Sequence, residues 1–77
     1  MSKIQEIQEV IRGVFKDSSI QINENTTAND IDGWDSLTHL QIITELEKHF
    51  SIKFTLSELI GLDTVGDIDR EIQKKIA

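Results

Sequence analysis

Residues 33–50 read GWDSLTHLQIITELEKHF, and the fold turns on how this stretch is taken. A glycine and an aromatic residue lead into Asp35, and an apolar-periodic segment follows at once. Asp35 suits a helix N-cap, because its carboxylate can accept from the unpaired backbone N–H groups of the first turn. The spacing then predicts a helix over 36–50, about 22 Å long at 1.5 Å per residue. With Ile43 at the centre of the wheel, Leu40, Leu46 and Phe50 fall within about 60° and Ile42 within about 100°. Ser36 and His39 lie on the same side. The opposite face carries Leu37, Thr38, Gln41, Thr44, Glu45 and Lys48. A helix with one apolar face must bury it against other elements.

Those partners are legible on either side. Ile4, Ile7, Ile11 and Val14 recur at helical spacing, widened by Val10 and Phe15, so residues 2–16 are expected to form a first helix. Ser2 and Gln5 stand at capping-box spacing. Residues 17–35 are turn-rich. A connection of about 19 residues is long for a compact domain, and Ile20, Ile22 and Ile31 are expected to pin it to the core as an ordered loop. Thr55 and Glu58 form a second capping box before Leu59 and Ile60, which makes TLSELIG a short helix ended by Gly61. Thr64 and Asp67 repeat the pattern, and Val65, Ile68, Ile72 and Ile76 give a last helix its stripe. Lys74 and Lys75 sit at the end where the helix dipole favours cations. No segment shows sustained strand alternation. The expected fold is all-α: a four-helix bundle with three long helices and one short helix, a long ordered loop between the first two, and a single domain over 1–77. A monomer is expected.

Composition narrows the function. The chain has no cysteine, so the core has neither a disulfide nor a thiolate zinc site to support it. No apolar run approaches the roughly 18 residues of a membrane span. The N-terminal MSKIQEIQEV lacks the continuous apolar block of a signal peptide. A soluble, cytoplasmic protein is the expectation. The net charge is −6. The bases are Lys3, Arg12, Lys16, Lys48, Lys53, Arg70, Lys74 and Lys75, and none falls between residues 17 and 47. That window holds Asp17, Glu24, Asp30, Asp32, Asp35, Glu45 and Glu47. Such a surface repels phosphate backbones, which argues against nucleic acid. It favours a basic patch on another protein.

Three chemistries compete for the junction at Ser36. DIDG at 30–33 echoes the middle of a calcium loop. Placing Gly33 at the loop's sixth position puts Ala28 first and His39 last, where oxygen ligands are required. Hydrolysis is the second reading, with Ser36 three residues from His39. A triad also needs an orienting acid, an oxyanion hole and a cleft, and so short a chain with no glycine-rich loop has little to build them from. His39 is expected to be a partly buried histidine with a hydrogen-bond partner, and alternatively to border a pocket beside Ser36. His49 reads as a surface residue. The third reading is attachment. Ser36 is expected to be exposed at a loop-to-helix junction, and a helix N-terminus is a favourable seat for a phosphate. Taken from the residues alone, Ser36 is as well explained as a good first-turn residue.

GWDSL, the run LTHLQIITELEKHF, SIKF and TVGDI, in that order, resemble the acyl carrier protein family over nearly the whole chain. The resemblance implies that Ser36, the serine of D-S-L, carries 4′-phosphopantetheine through a phosphodiester. It implies acyl groups held as thioesters on that imported thiol, with catalysis left to partner enzymes. Those partners would be a phosphopantetheinyl transferase and acyl-loading and acyl-processing enzymes with basic docking patches. Asp35, Leu37, Thr38, Gln41 and Glu45 are the expected contacts. Leu40, Ile43, Leu46, Leu59, Ile60 and Ile68 are candidate walls for an acyl chain folded between the helices, and equally candidates for plain core. Two features depart from fatty-acid carriers. Thr38, Gln41 and Lys48 stand outward where acids are usual, and Trp34 replaces a small residue, as in the WDSL versions of stand-alone carriers in polyketide, modified-lipid or amino-acyl pathways. Trp34 is otherwise read as a loop anchor. The rival readings are an unmodified acidic interaction bundle and, in a different class, a small hydrolase.

Overall fold

The structure, a computed structural model, describes residues 2–76. Its elements in order are α1 (Ile4–Phe15), a single 3-10 turn (Ala28–Asp30), α2 (Ser36–Phe50), α3 (Leu56–Ile60) and α4 (Val65–Ile76). The four-helix bundle read from the periodicity is therefore present, with three long helices and one short one, and no strand is found among the described residues. None of the helices is long and apolar enough to cross a membrane.

The core is built from three helices. Ile7 and Ile11 come from α1, Ile42, Ile43 and Leu46 from α2, and Val65, Ile68 and Ile72 from α4. Burying one such side chain contributes about 1.5–3 kcal/mol, so a core of this size leaves little reserve. α3 adds no fully buried side chain. Its Leu59 packs half-buried against the core, and its N-terminus is closed by the Thr55–Glu58 box, with Thr55 N–H donating to Glu58 Oε1 at 2.7 Å and Glu58 N–H to Thr55 Oγ1 at 3.2 Å. Lys75 Nζ from α4 holds the same carboxylate at 2.7 Å. Lys75 first, and then the Thr55 N–H, lower the Glu58 carboxyl to about 2. The short third helix is thus tied down by polar contacts more than by burial.

The wheel of α2 is rotated from the expected one. Its buried residues are Ile42, Ile43 and Leu46, while Leu40 is 55% exposed. The buried arc is centred about 50° from Ile43, toward Ile42 and His39. Tertiary neighbours decide this, because α1 packs on α2 and the buried side chains of α2 join those of α1 and α4 in one core.

The cap of α1 is also not the expected one. The helix begins at Ile4 with Lys3 as N-cap, and Ser2 Oγ accepts only from Ile4 N–H at 3.2 Å. The Ser2–Gln5 box is replaced by a carboxylate from the far end of the chain. Asp69 on α4, only 7% exposed, accepts from Lys3 N–H at 2.6 Å and from Gln73 Nε2 at 2.9 Å. An ionised acceptor makes a stronger cap than a hydroxyl.

The long loop is ordered, as Ile20, Ile22 and Ile31 predict: all three pack half-buried against the core. It is also fixed by hydrogen bonds. Arg12 Nε donates to Ile20 O at 2.6 Å, and Ile22 N–H donates to Gln8 Oε1 at 2.8 Å. The loop then runs along the start of α4, where an isolated antiparallel bridge joins Thr27 and Thr64. Val65 N–H donates to Thr26 O and Gly66 N–H to Glu24 O, each at 2.9 Å. Two of the first-turn N–H groups of α4, which have no partner inside the helix, are thus satisfied by the loop, while Asp67 N–H donates to Thr64 Oγ1 at 3.1 Å. Gly66 permits the approach, since a Cβ there would lie 2.7 Å from Glu24 O.

Candidate functional site

The site begins at a turn. Gly33 has φ +87°, a backbone state that costs an L-residue about 1–2 kcal/mol. The turn delivers Trp34 inward and Asp35 to the mouth of α2. Asp35 Oδ1 accepts from Thr38 N–H at 2.9 Å, and Asp35 O accepts from His39 N–H at 2.8 Å, starting the helix. Thr38 Oγ1 lies 3.0 Å from Gly33 O and from Asp35 Oδ1 and can donate to one at a time. The cap locks turn and helix together. The Thr38 N–H, before any other group, holds the Asp35 carboxyl below its ordinary value.

Ser36 is the first residue of α2 and is exposed. Its hydroxyl makes no hydrogen bond among the described residues. It stands at the rim of an open groove of about 780 Å³, lined by Thr27, Ala28, Asn29, Trp34, Asp35, His39, Leu40, Leu62 and Asp63 as well. Beneath it lies a void of about 30 Å³, reached by Trp34, His39, Leu62, Val65 and Ile68 among others. A free hydroxyl at a helix's positive end, beside a largely apolar groove, fits a phosphate-linked group with a partly apolar body.

Trp34 and His39 form the floor as a pair. Trp34 packs on Phe15, with ring centroids 6.2 Å apart, and stacks on His39 at 6.0 Å. Trp34 Nε1 lies 3.1 Å from His39 Nδ1. An indole nitrogen only donates, so Nδ1 must be the unprotonated acceptor and the imidazole proton sits on Nε2. Burial acts in the same direction, lowering the His39 pKa below 6.5. The partner expected for this histidine is thus an indole, in the place where a hydrolytic triad puts its orienting acid. The Asp30 carboxylate, part of the echoed calcium loop, closes the 3-10 turn instead: its Oδ2 accepts from Thr27 N–H at 2.9 Å.

The expected docking residues are divided by the structure. Asp35, Leu37, Gln41 and Glu45 are exposed, Leu37 to 68%. Thr38 is half-buried with its hydroxyl engaged. Asp35 borders the Ser36 groove, whereas Gln41 and Glu45 line a second cleft of about 720 Å³ against Val10, Gly13 and Val14 of α1. The six candidate acyl walls are also dispersed. Ile43, Leu46 and Ile68 are core and Leu59 packs against it, while Leu40 and Ile60 are exposed, Ile60 to 75%. Only Leu40 of the six lines the groove, and Ile68 reaches the void beneath it. Thr27, Ala28, Asn29, Leu62 and Asp63 were not foreseeable as walls. They arrive through the pairing of Thr27 with Thr64, which has no local sequence signal.

Residues 5–71 match the family model described as a phosphopantetheine attachment site. Comparison with curated proteins gives no match. Among solved structures, the chain is similar to a holo acyl carrier protein from Geobacter metallireducens, determined in solution, at 45% identity and a TM-score of 0.93, covering 99% of this chain and 87% of that one. It is also similar to a chain assigned as an acyl carrier protein from Mycobacterium tuberculosis, at 29% identity and a TM-score of 0.82, covering 95% and 97%.

Proposed function

The chain belongs to the acyl carrier protein family, whose members bear covalent 4′-phosphopantetheine and are carriers rather than catalysts, and from that premise we propose that Ser36 is the attachment residue. The observation that carries the reading is the exposed, hydrogen-bond-free hydroxyl at the first position of α2, at the rim of the groove. In the attachment step Ser36 Oγ loses its proton and bonds to the phosphorus of coenzyme A that bears the pantetheine, and the bond from that phosphorus to the adenosine bisphosphate leaving group breaks. The group supplies the terminal thiol that this cysteine-free chain lacks, on which acyl groups are held as thioesters. A transferase and acyl-processing enzymes are the partners the family implies.

Asp35, Leu37, Thr38, Gln41 and Glu45 are the contacts we assign to those partners. An acidic surface with one exposed leucine suits brief docking on a basic patch, because charge speeds encounter without prolonging the complex. For the cargo, we assign the acyl chain a route past Leu40 toward Ile68, with Ile43, Leu46, Leu59 and Ile60 as walls only where the core parts. A specialised lipid or polyketide pathway is favoured over general fatty-acid synthesis by Trp34, the large residue before Asp35, whose indole packs on Phe15 and His39 as the floor of the groove. An amino-acyl cargo is the second reading, favoured by the groove's charged groups, Asp35 and Asp63, which are both acids.

The test is to incubate the protein with coenzyme A and a phosphopantetheinyl transferase and weigh it. Wild type should gain the mass of one phosphopantetheine and Ser36→Ala none. A gain that persists in Ser36→Ala, or no gain with several transferases, would falsify the assignment.

A further inference from the structure

The cleft between α1 and α2 shares no lining residue with the Ser36 groove. Glu9, Val10, Gly13 and Val14 line it from α1. Gln41 and Glu45 face them from α2, with Lys48 and His49 one turn further on. Gly13 is the residue that calls for a reason. It is exposed inside a helix of 12 residues, where glycine is less stable than alanine because it gives up more backbone freedom on folding. Its φ is not positive, and a Cβ would meet no atom within 4 Å. Neither conformation nor packing within this chain requires a glycine there, in contrast to Gly66. What the absent side chain leaves is a notch of bare backbone beside Val10 and Val14, both half-buried.

The charges decide what fits the notch. Glu9 and Glu45 bring carboxylates to the cleft from opposite helices. Their ion pairs are loose and exposed: Arg12 Nη1 lies 3.4 Å from Glu9, and Lys48 Nζ lies 3.8 Å from Glu45. Such pairs contribute little and exchange readily. His49 Nε2 is held by Glu6 at 3.2 Å. An apolar occupant would desolvate two carboxylates without compensation, and an acid would be repelled. A basic side chain satisfies both. Arginine suits the shape, because its apolar stem can lie on the valines while its planar fork of donors bonds both carboxylates. The distances also fit. Gln41 and Glu45 lie about 7.5 and 13.5 Å beyond Ser36 along α2, and an interface of about 800 Å² per partner is a disc of roughly 16 Å radius. An enzyme centred on Ser36 and lying along the outward face of α2 therefore reaches the cleft.

We propose that this cleft is a second docking point for enzymes that act at Ser36, and that it receives an arginine side chain of the partner, with the stem on Val10, Gly13 and Val14 and the guanidinium between Glu9 and Glu45. This rests on the reading of Ser36 as the attachment residue, and it extends the partner surface from α2 onto α1. The extension has a use. A patch on α2 alone leaves the carrier free to roll about that helix's axis, whereas a side chain wedged between two helices fixes the roll and so the angle at which the serine is presented.

The experiment measures the kinetics of Ser36 modification by a phosphopantetheinyl transferase with coenzyme A, with mass spectrometry reporting the product. Gly13→Leu fills the notch and should raise KM about five- to tenfold, the loss of one good interface contact, at low and high salt alike and without lowering Tm. Glu9→Gln should raise KM at low salt only. Glu24→Gln removes the same charge from an exposed residue outside the cleft and should leave KM unchanged. The proposal is overturned if folded Gly13→Leu is modified at the wild-type KM, whatever Glu9→Gln does. That outcome leaves the attachment reading intact. Failure of the wild type to gain mass with several transferases removes both readings. Should Gly13→Leu fail to fold, Glu9→Gln against Glu24→Gln decides, and equal KM values overturn the proposal.

Discussion

Two glycine-to-alanine substitutions in helices of this chain should move stability in opposite directions. Gly66 lies in the first turn of α4, where a Cβ would be 2.7 Å from Glu24 O and 3.2 Å from Glu24 Cβ. The nearer atom is backbone, so the loop must move. Moving it weakens the bonds from Gly66 N–H to Glu24 O and from Val65 N–H to Thr26 O, each contributing about 0.5–1.5 kcal/mol net. The resulting loss of about 1–3 kcal/mol agrees with the usual cost of overpacking. Alanine's helix preference offsets at most about 1 kcal/mol of it. At full offset a net loss of up to about 2 kcal/mol remains, or up to roughly 8–16 °C in Tm for a domain of this size. Gly13, inside α1, has no atom within 4 Å of a built Cβ. Gly13→Ala should therefore stabilise by about 0.5–1 kcal/mol. Thermal unfolding followed by far-ultraviolet circular dichroism measures both. If Gly66→Ala melts at or above the wild-type temperature, the clamp between the loop and α4 is not the constraint argued for, and the account of the groove wall at Thr27–Asn29 loses its support.

Asp69→Ala leaves the Lys3 N–H without its tertiary cap and should cost about 1–3 kcal/mol, with Asp69→Asn losing less; urea unfolding separates the two. On pH, burial lowers the His39 pKa below 6.5, so below that value the unfolded chain binds the extra proton and the native state resists it. Stability should fall as pH drops from 6.5 through the lowered value, and His39→Gln should flatten that part of the profile. A second acid loss should begin below 4.5, where Glu58, held at about 2 chiefly by Lys75, is protonated in the unfolded chain first, and deepen below 3.8, because Thr38 lowers Asp35, Thr64 lowers Asp67 and Ser19 lowers Asp17. Glu45→Lys should raise KM for a transferase at low salt with little change in kcat. That difference should shrink as ionic strength rises, and a salt-independent effect would count against electrostatic docking.

How much of this was legible in the chain depends on how far apart in sequence the cooperating residues stand. Asp35, Ser36 and Thr38 act within one turn, so the cap and the exposed junction could be read from D-S-L and the apolar period that follows. The Thr55–Glu58 and Thr64–Asp67 boxes were legible for the same reason. The cap of α1 was not, because its acceptor, Asp69, is separated from Lys3 by 66 positions and nothing local distinguishes it from a solvent-facing acid. The rotation of α2 was hidden too: a wheel gives the width of an apolar arc, but neighbouring helices choose its centre. One consequence is that Leu40, placed inward by the wheel, instead borders the groove. The groove itself has a local half, Trp34 to Leu40, and a distant half from the first loop and the α3–α4 turn. The distant half is brought in by backbone pairing at Thr26, Thr27 and Thr64, to which side-chain pattern is blind, and only Gly66 marks it in the sequence. The division has a functional side. The serine is presented by contacts within one turn of α2, whereas the groove beside it depends on a loop held by a few backbone bonds. Loosening that loop should therefore deform the groove without removing the place of attachment.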